Sequence, residues 1–342
     1  MALAMFRLLR LIILGVVAFA IALWLTNRAE AGVGVDRLTV NDPVTGKVAP
    51  TTLWYPSDAS EDVVEIGPYR FSAARGGAPN GRAAGLIVIS HGSGASSLAH
   101  VGSAVNLARA GYVVAAPTHP GDNFQDLSDQ GTWASFSGRP RTISAVIDAV
   151  LADGRFAAAL SDRKIGAMGL SRGGYTVLAL VGARPDLAQL AAFCEAWPRD
   201  MLCLLGAAVP SRADKGRDLD GLADARVISF VVMAPGTALF ADSAFAAITR
   251  PGLFFVAAQD GILAPERHAE RFRAHWPDSV RYIRVEDAGH VSFATPLPPE
   301  IARTLPAFLR DPAWFDRAGF LARLDREIHD FFQQTLRQEP HP

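Results

Sequence analysis

The chain has 342 residues, half of them hydrophobic, and a formal net charge of −1. That is enough apolar sequence for a large core in one catalytic domain of ordinary α/β size. The near-neutral balance provides no strong field for nucleic acid or anionic lipid, and no repeat or long low-complexity tract interrupts the sequence.

The N-terminus differs from the rest. Arg7 and Arg10 precede an apolar run from Leu11 to Leu25, and Ala29-Glu30-Ala31 follows. Basic residues, a short apolar stretch and an A-x-A site read as a secretory signal peptide over residues 1–31. The alternative is an uncleaved anchor in the inner membrane, for which the run is short of about 20 residues. Either way, residues 32–342 form an exported domain, periplasmic or secreted, and the membrane is a partner only if the segment is retained.

Along that domain, residues 37–40 and 50–55 alternate like a hairpin, with Asn41-Asp42-Pro43 as the turn signal. Residues 57–80, rich in small and polar side chains, read as a loop. A buried strand over residues 85–90 runs into His91-Gly92-Ser93-Gly94, and a helix follows around residues 99–110. Residues 112–117 form the next strand, ending in Thr118-His119-Pro120-Gly121-Asp122. Helical spacing through Ile143, Val146, Ile147, Val150 and Leu151 gives a helix over residues 139–152. Strand 165–168 then reaches Gly169-Leu170-Ser171-Arg172-Gly173.

That G-x-S-x-G frame lies between a strand-like and a helix-like run, where a tight turn leaves room only for glycine two positions either side of the serine. Such a turn exposes the Ser171 hydroxyl and aims the following helix N-terminus at it. Residues 185–224 interrupt the strand–helix alternation and read as a small cap insert over the pocket mouth. Strands resume at residues 227–233 and 251–258, the latter ending at Gln259-Asp260-Gly261. Residues 265–276 read as helical, and the last strand, 280–285, precedes Glu286-Asp287-Ala288-Gly289-His290. Phe320, Leu321, Leu324, Ile328, Phe331, Phe332 and Leu336 form the apolar stripe of a terminal helix.

The order Ser171, Asp260, His290, each just past a strand end, matches a nucleophile–acid–base triad. A neutral imidazole must take the serine proton, and a carboxylate must hold the ring's other nitrogen. Glu286 and Asp287 are the alternatives to Asp260, but both are too close in sequence to face the ring without an unusual turn. The amides of Ser93 and Arg172 are the candidate oxyanion donors. The Gly-rich loop 91–95 has no lysine in P-loop spacing and completes no G-x-G-x-x-G, which argues against a phosphate cradle. Cys194 and Cys203 would close a small disulfide loop in an oxidising compartment; the alternative is two buried thiols. Zinc is disfavoured by the absence of a nearby histidine.

On these motifs, with Leu53-Trp54-Tyr55-Pro56, Thr118-His119-Pro120-Gly121, Arg139-Pro140 and the cysteine pair, nearly the whole domain resembles an α/β-hydrolase. It is similar in particular to exported bacterial proteins described as dienelactone-hydrolase-like or platelet-activating-factor-acetylhydrolase-like. Dienelactone hydrolases proper carry cysteine at the elbow, so Ser171 withholds the lactone substrate. The resemblance implies a mainly parallel sheet with helices on both faces, and a metal- and cofactor-independent serine esterase acting on a small or short-acyl ester. No obligate protein partner is implied. An acyltransferase, peptidase or thioesterase would use the same triad, and a non-catalytic binder on this scaffold is the remaining alternative.

Overall fold

The computed structural model describes residues 32–337 apart from 82, 161, 163, 206–213, 215 and 216. Residues 1–31, read above as a signal peptide or an anchor, lie outside the described residues. Among the described residues no helix is long and apolar enough to cross a membrane.

Ten strands form one sheet in the order β10-β9-β8-β7-β5-β6-β2-β1-β4-β3. Its central block is parallel: β6 (Val113–Pro117), β5 (Leu86–Ser90), β7 (Ile165–Leu170), β8 (Val227–Met233), β9 (Gly252–Ala257) and β10 (Val280–Val285). Every residue of β5, β6, β7 and β9 is buried, as expected for strands covered on both faces. Side chains alternate between two cores. Leu86 and Val88 join one, and Ile87 and Ile89 join the other.

The first core packs helices α2 (Trp133–Ala152) and α3 (Arg172–Leu180) against the sheet. The second packs α1 (Val101–Arg109) and the terminal α7 (Arg317–Arg337) on the opposite face. Of the stripe read from the sequence, Phe320, Leu324, Ile328, Phe332 and Leu336 of α7 are buried, and Leu321 and Phe331 are half-buried at its edge. Gly166 of β7 permits the approach: a Cβ there would sit 2.6 Å from the Phe332 ring.

The hairpin β1 (Gly32–Asn41) and β2 (Val48–Ser57) pairs in continuous register and joins the block through β2 against β6. Its turn is closed by Asp42, whose Oδ1 accepts the amides of Val44 and Thr45 at 2.7 and 2.8 Å. Three segments differ from the sequence reading. Residues 57–80 contain a second hairpin, β3 (Asp62–Ile66) with β4 (Tyr69–Arg75), which extends the sheet edge. Residues 265–276 form turns and a short 3₁₀ helix (Glu270–His275) rather than an α-helix.

Helix α2 starts six residues before the expected position 139, because Pro140 lies inside it. Pro140 has no N–H for the carbonyl of Phe136. The Tyr175 hydroxyl donates to that carbonyl instead, at 3.1 Å, so the helix continues through the proline.

Segment 185–224 begins with two short helices, α4 (Leu187–Ala196) and α5 (Met201–Leu204), each started by an aspartate side chain that accepts an amide. Cys194 and Cys203 form a disulfide that ties them together, with Cα atoms 5.7 Å apart. Asp200 anchors the connection to the body by accepting from Arg267 at 2.7 Å, with His268 at 3.3 Å. Residues 297–310 form a strap with the short helix α6 (Pro299–Ala302).

Candidate active site

Ser171 stands at the apex between β7 and α3 with φ 57° and ψ −117°. This positive φ is costly for a residue with a side chain and persists only where the surroundings enforce it. They do so here. The Ser171 amide donates to Met233 at 3.0 Å, and its carbonyl accepts from Tyr175 and Gly236 at 3.0 and 2.9 Å. A Cβ on Gly169 would lie 2.3 Å from the carbonyl oxygen of Gly173, and one on Gly173 would lie 1.9 Å from that of Ser90. The two flanking glycines are therefore required by contact. Ala234, just past β8, also has positive φ (39°), a strained neighbour with no sequence signal.

Asp260 and His290 are in contact. The carboxylate Oδ2 lies 2.7 Å from His290 Nδ1, with both side chains almost fully buried. The other oxygen accepts the amides of Ile262 and Leu263, both at 2.8 Å. The carboxylate is thus fixed in orientation, and it holds the imidazole proton on Nδ1, leaving Nε2 as the basic nitrogen. The loop bearing His290 is itself pinned: the amide of Gly289 donates to Ser292 Oγ at 2.9 Å. Glu286 pairs with Arg284 at 3.1 Å and Asp287 accepts from Trp314 at 3.4 Å, so neither faces the ring. Three further histidines lie elsewhere: His268 faces Asp200, His275 faces Asp242 and His329 faces Asp330.

Ser171 and His290 border one cavity, together with Gly92, Ser93 and Arg172. No hydrogen bond joins the serine hydroxyl to the imidazole among the described residues, and such contacts commonly tighten only when substrate is bound. Loop 91–94 lies against Ser171: a Cβ on Gly92 would be 3.5 Å from Ser171 Cβ. Its carbonyls are held from behind. Arg139 donates to the carbonyl of His91 at 2.8 Å and to that of Gly92 at 3.4 Å. His91 accepts the amide of His119 on Nε2 at 3.0 Å, so its proton is on Nδ1 and donates to Gly92 O at 2.6 Å. In a trans peptide, C=O and the following N–H point opposite ways. Fixing Gly92 O therefore directs the Ser93 amide away from Arg139.

Behind this loop is a buried charge cluster whose role no sequence motif revealed. Asp122, fully buried, lies 3.1 Å from Arg139 and 3.5 Å from Arg172, and accepts the Ser93 hydroxyl. Burial pushes its carboxyl up, but Arg139, Arg172 and Ser93 outweigh that and hold it below its ordinary value. Burial drives Arg139 down to about 10 despite Asp122, so it stays cationic at neutral pH. Burial and the Arg139 charge push His91 down to about 3, and burial likewise keeps His119 well below the usual imidazole range. Both rings are neutral structural groups. The Arg172 side chain is itself buried, with its guanidinium 4.4 Å from the Phe136 ring centroid.

No protein-family model matches this sequence, and no curated protein matches it. Among solved structures, the chain is similar to a ferulic acid esterase from Streptomyces cinnamoneus, with a TM-score of 0.60 and 20% identity. The match covers 92% of this chain and 93% of that one. The chain has an α/β-hydrolase fold. At this identity the likeness concerns architecture, and it agrees with the parallel block and the two helical layers.

Proposed function

We propose that the protein is a serine hydrolase that cleaves a carboxylic ester through an acyl-enzyme. The observation that carries this reading is the buried Asp260–His290 contact, at 2.7 Å, on the same cavity as a serine held at positive φ. Ser171 Oγ attacks the acyl carbon as its proton passes to His290 Nε2, and Asp260 stabilises the imidazolium without taking the proton. The amides of Ser93 and Arg172, the latter at the positive end of α3, receive the developing oxyanion. Collapse releases the alcohol with the proton from His290. Water then repeats the sequence on the acyl-enzyme, with His290 again as base, and frees the acid. Arg139 and Asp122 act from behind by holding the peptide planes of the oxyanion loop.

We also infer that the mature domain is exported. The Cys194–Cys203 disulfide supports this, since such bonds persist in oxidising compartments. The test of function is turnover of p-nitrophenyl esters by wild type and Ser171→Ala. Wild type should release p-nitrophenol with burst kinetics, and the variant should lose at least about 10³-fold in kcat. Undiminished turnover by Ser171→Ala would end the proposal. The products in water and in added alcohol would separate hydrolysis from acyl transfer.

A further inference from the structure

The cavity bordered by Ser171 and His290 is much larger than an acetyl or propionyl group needs. Its volume is about 640 Å³. At about 30 Å³ for each water-sized heavy atom, that is room for about twenty of them. Its lining is chemically one-sided, with nine leucines against four aromatic side chains. Flexible branched side chains conform to a flexible aliphatic chain, whereas a flat aromatic acid is usually gripped by stacked rings.

The wall is built from two parts of the sequence that the triad does not use. Leu190, Leu202 and Leu205 come from the segment tied by the disulfide, beside Tyr175 and Leu239. Leu297, Leu305 and Leu309 come from the strap. The strap packs directly over the triad loops: a Cβ on Gly261 would lie 3.2 Å from Phe308 O, and one on Gly289 3.6 Å from Arg310 O. Leu205 borders the cavity and is half exposed, so the wall continues to the surface as apolar area.

The charged side chains at the lining are already engaged. Arg172 faces Asp122 at 3.5 Å, Arg317 pairs with Asp311 at 2.7 Å, and His290 faces Asp260. A carboxylate or phosphate on the substrate would lose water and have to compete with Asp122 and Asp311 for those guanidinium groups.

Resting on the esterase reading above, we infer that the substrate is a neutral ester with a flexible aliphatic acyl chain of about eight carbons or more. This departs from the short acyl group that the sequence resemblance implies. The reason is the leucine wall, which a two- or three-carbon group would leave wetted and unused.

The test is kcat/KM for p-nitrophenyl acetate, butyrate, octanoate and decanoate, each below its aggregation limit, and for mono-p-nitrophenyl succinate. Each buried methylene can contribute up to about fourfold. The expected results are a rise of about tenfold or more from acetate to octanoate, and succinate about tenfold or more below butyrate. An optimum at acetate, or succinate equal to butyrate, overturns the inference. Leu202→Asp places a carboxylate in the wall and should lower the octanoate-to-acetate ratio about fivefold or more. That ratio does not depend on how much of the variant folds, and an unchanged ratio also overturns the inference. Rapid acetate turnover with Ser171 acylated, but slow octanoate turnover, would remove only the chain-length inference. No turnover of any ester and no acylation would remove the esterase reading with it.

Discussion

Replacing Asp122 with asparagine tests how the oxyanion loop is held. The carboxylate is fully buried and lies 3.1 and 3.5 Å from two guanidinium groups. At those separations and an effective dielectric of about 20, each attraction is about 5 kcal/mol before desolvation is subtracted. Removing one member of a buried pair typically costs about 3–5 kcal/mol, because the remaining charge is left without compensation. Asparagine keeps the size and removes the charge, so Arg139 and Arg172 then repel each other across an amide. We expect urea denaturation to show a loss of about 3–5 kcal/mol. The released Arg139 no longer fixes the carbonyls of His91 and Gly92, so the Ser93 amide loses its direction. Loss of one oxyanion donor typically lowers kcat about 10²–10³-fold, and the folded fraction of Asp122→Asn should show a fall of that order. Ser93→Ala keeps the amide and removes only the hydroxyl anchor, so its kcat should fall less. A stability change below about 1 kcal/mol, with kcat within about threefold of wild type, would refute this account of the loop.

Three further outcomes follow from the same contacts. His91 and His100 are pushed down by burial to about 3 and 4, below the ordinary imidazole value of 6.5. Their stabilisation is therefore complete above pH 6.5 and lost as pH falls toward their folded values. Urea titrations from pH 7 to pH 4 should show stability dropping by up to about 1.4 kcal/mol per pH unit for each histidine, and a flat profile would contradict the burial argument. Phe332→Ala empties the space opposite Gly166 and should cost about 3–5 kcal/mol in thermal or urea unfolding, with little change in kcat per folded molecule. Asp260→Asn keeps the contact with His290 but favours the wrong tautomer, so kcat should fall about 10³–10⁴-fold; a fall under about tenfold would move the acid elsewhere.

Much of the site was legible in the sequence because its parts have local signatures. A buried strand followed by glycines marks an elbow, and the two other candidates each follow a strand end, so Ser171, Asp260 and His290 could be proposed before any coordinates. Glycine's role at positions 169 and 173 was equally readable, since it depends on backbone crowding alone. The charge cluster was not readable in this way. Asp122, Arg139 and Arg172 lie on a loop and two helices, and nothing in their spacing shows that they converge. Arg172 follows Ser171 in sequence, and only the position of Asp122 and Phe136 turns it inward.

Two fold features were hidden for different reasons. Residues 57–80 carry enough small and polar side chains to read as a loop, yet β4 gains backbone partners from β1 and β3 at the sheet edge, and tertiary pairing overrides propensity there. The start of α2 was obscured by Pro140, which normally marks a first turn, because the compensating Tyr175 hydroxyl comes from another helix. The cavity was hidden for a third reason. Its leucines are scattered over several segments with no common periodicity, so its volume and apolar wall could not be read from spacing.

The central claim is that Ser171 becomes nucleophilic through His290. Intact-protein mass spectrometry after brief exposure to a fluorophosphonate, followed by peptide mapping, tests it most directly. The account predicts one adduct per folded molecule, on Ser171, with labelling slowed at least about 10³-fold in His290→Ala. A folded wild type that takes no adduct at Ser171, or a His290→Ala variant that labels at the wild-type rate, would contradict it.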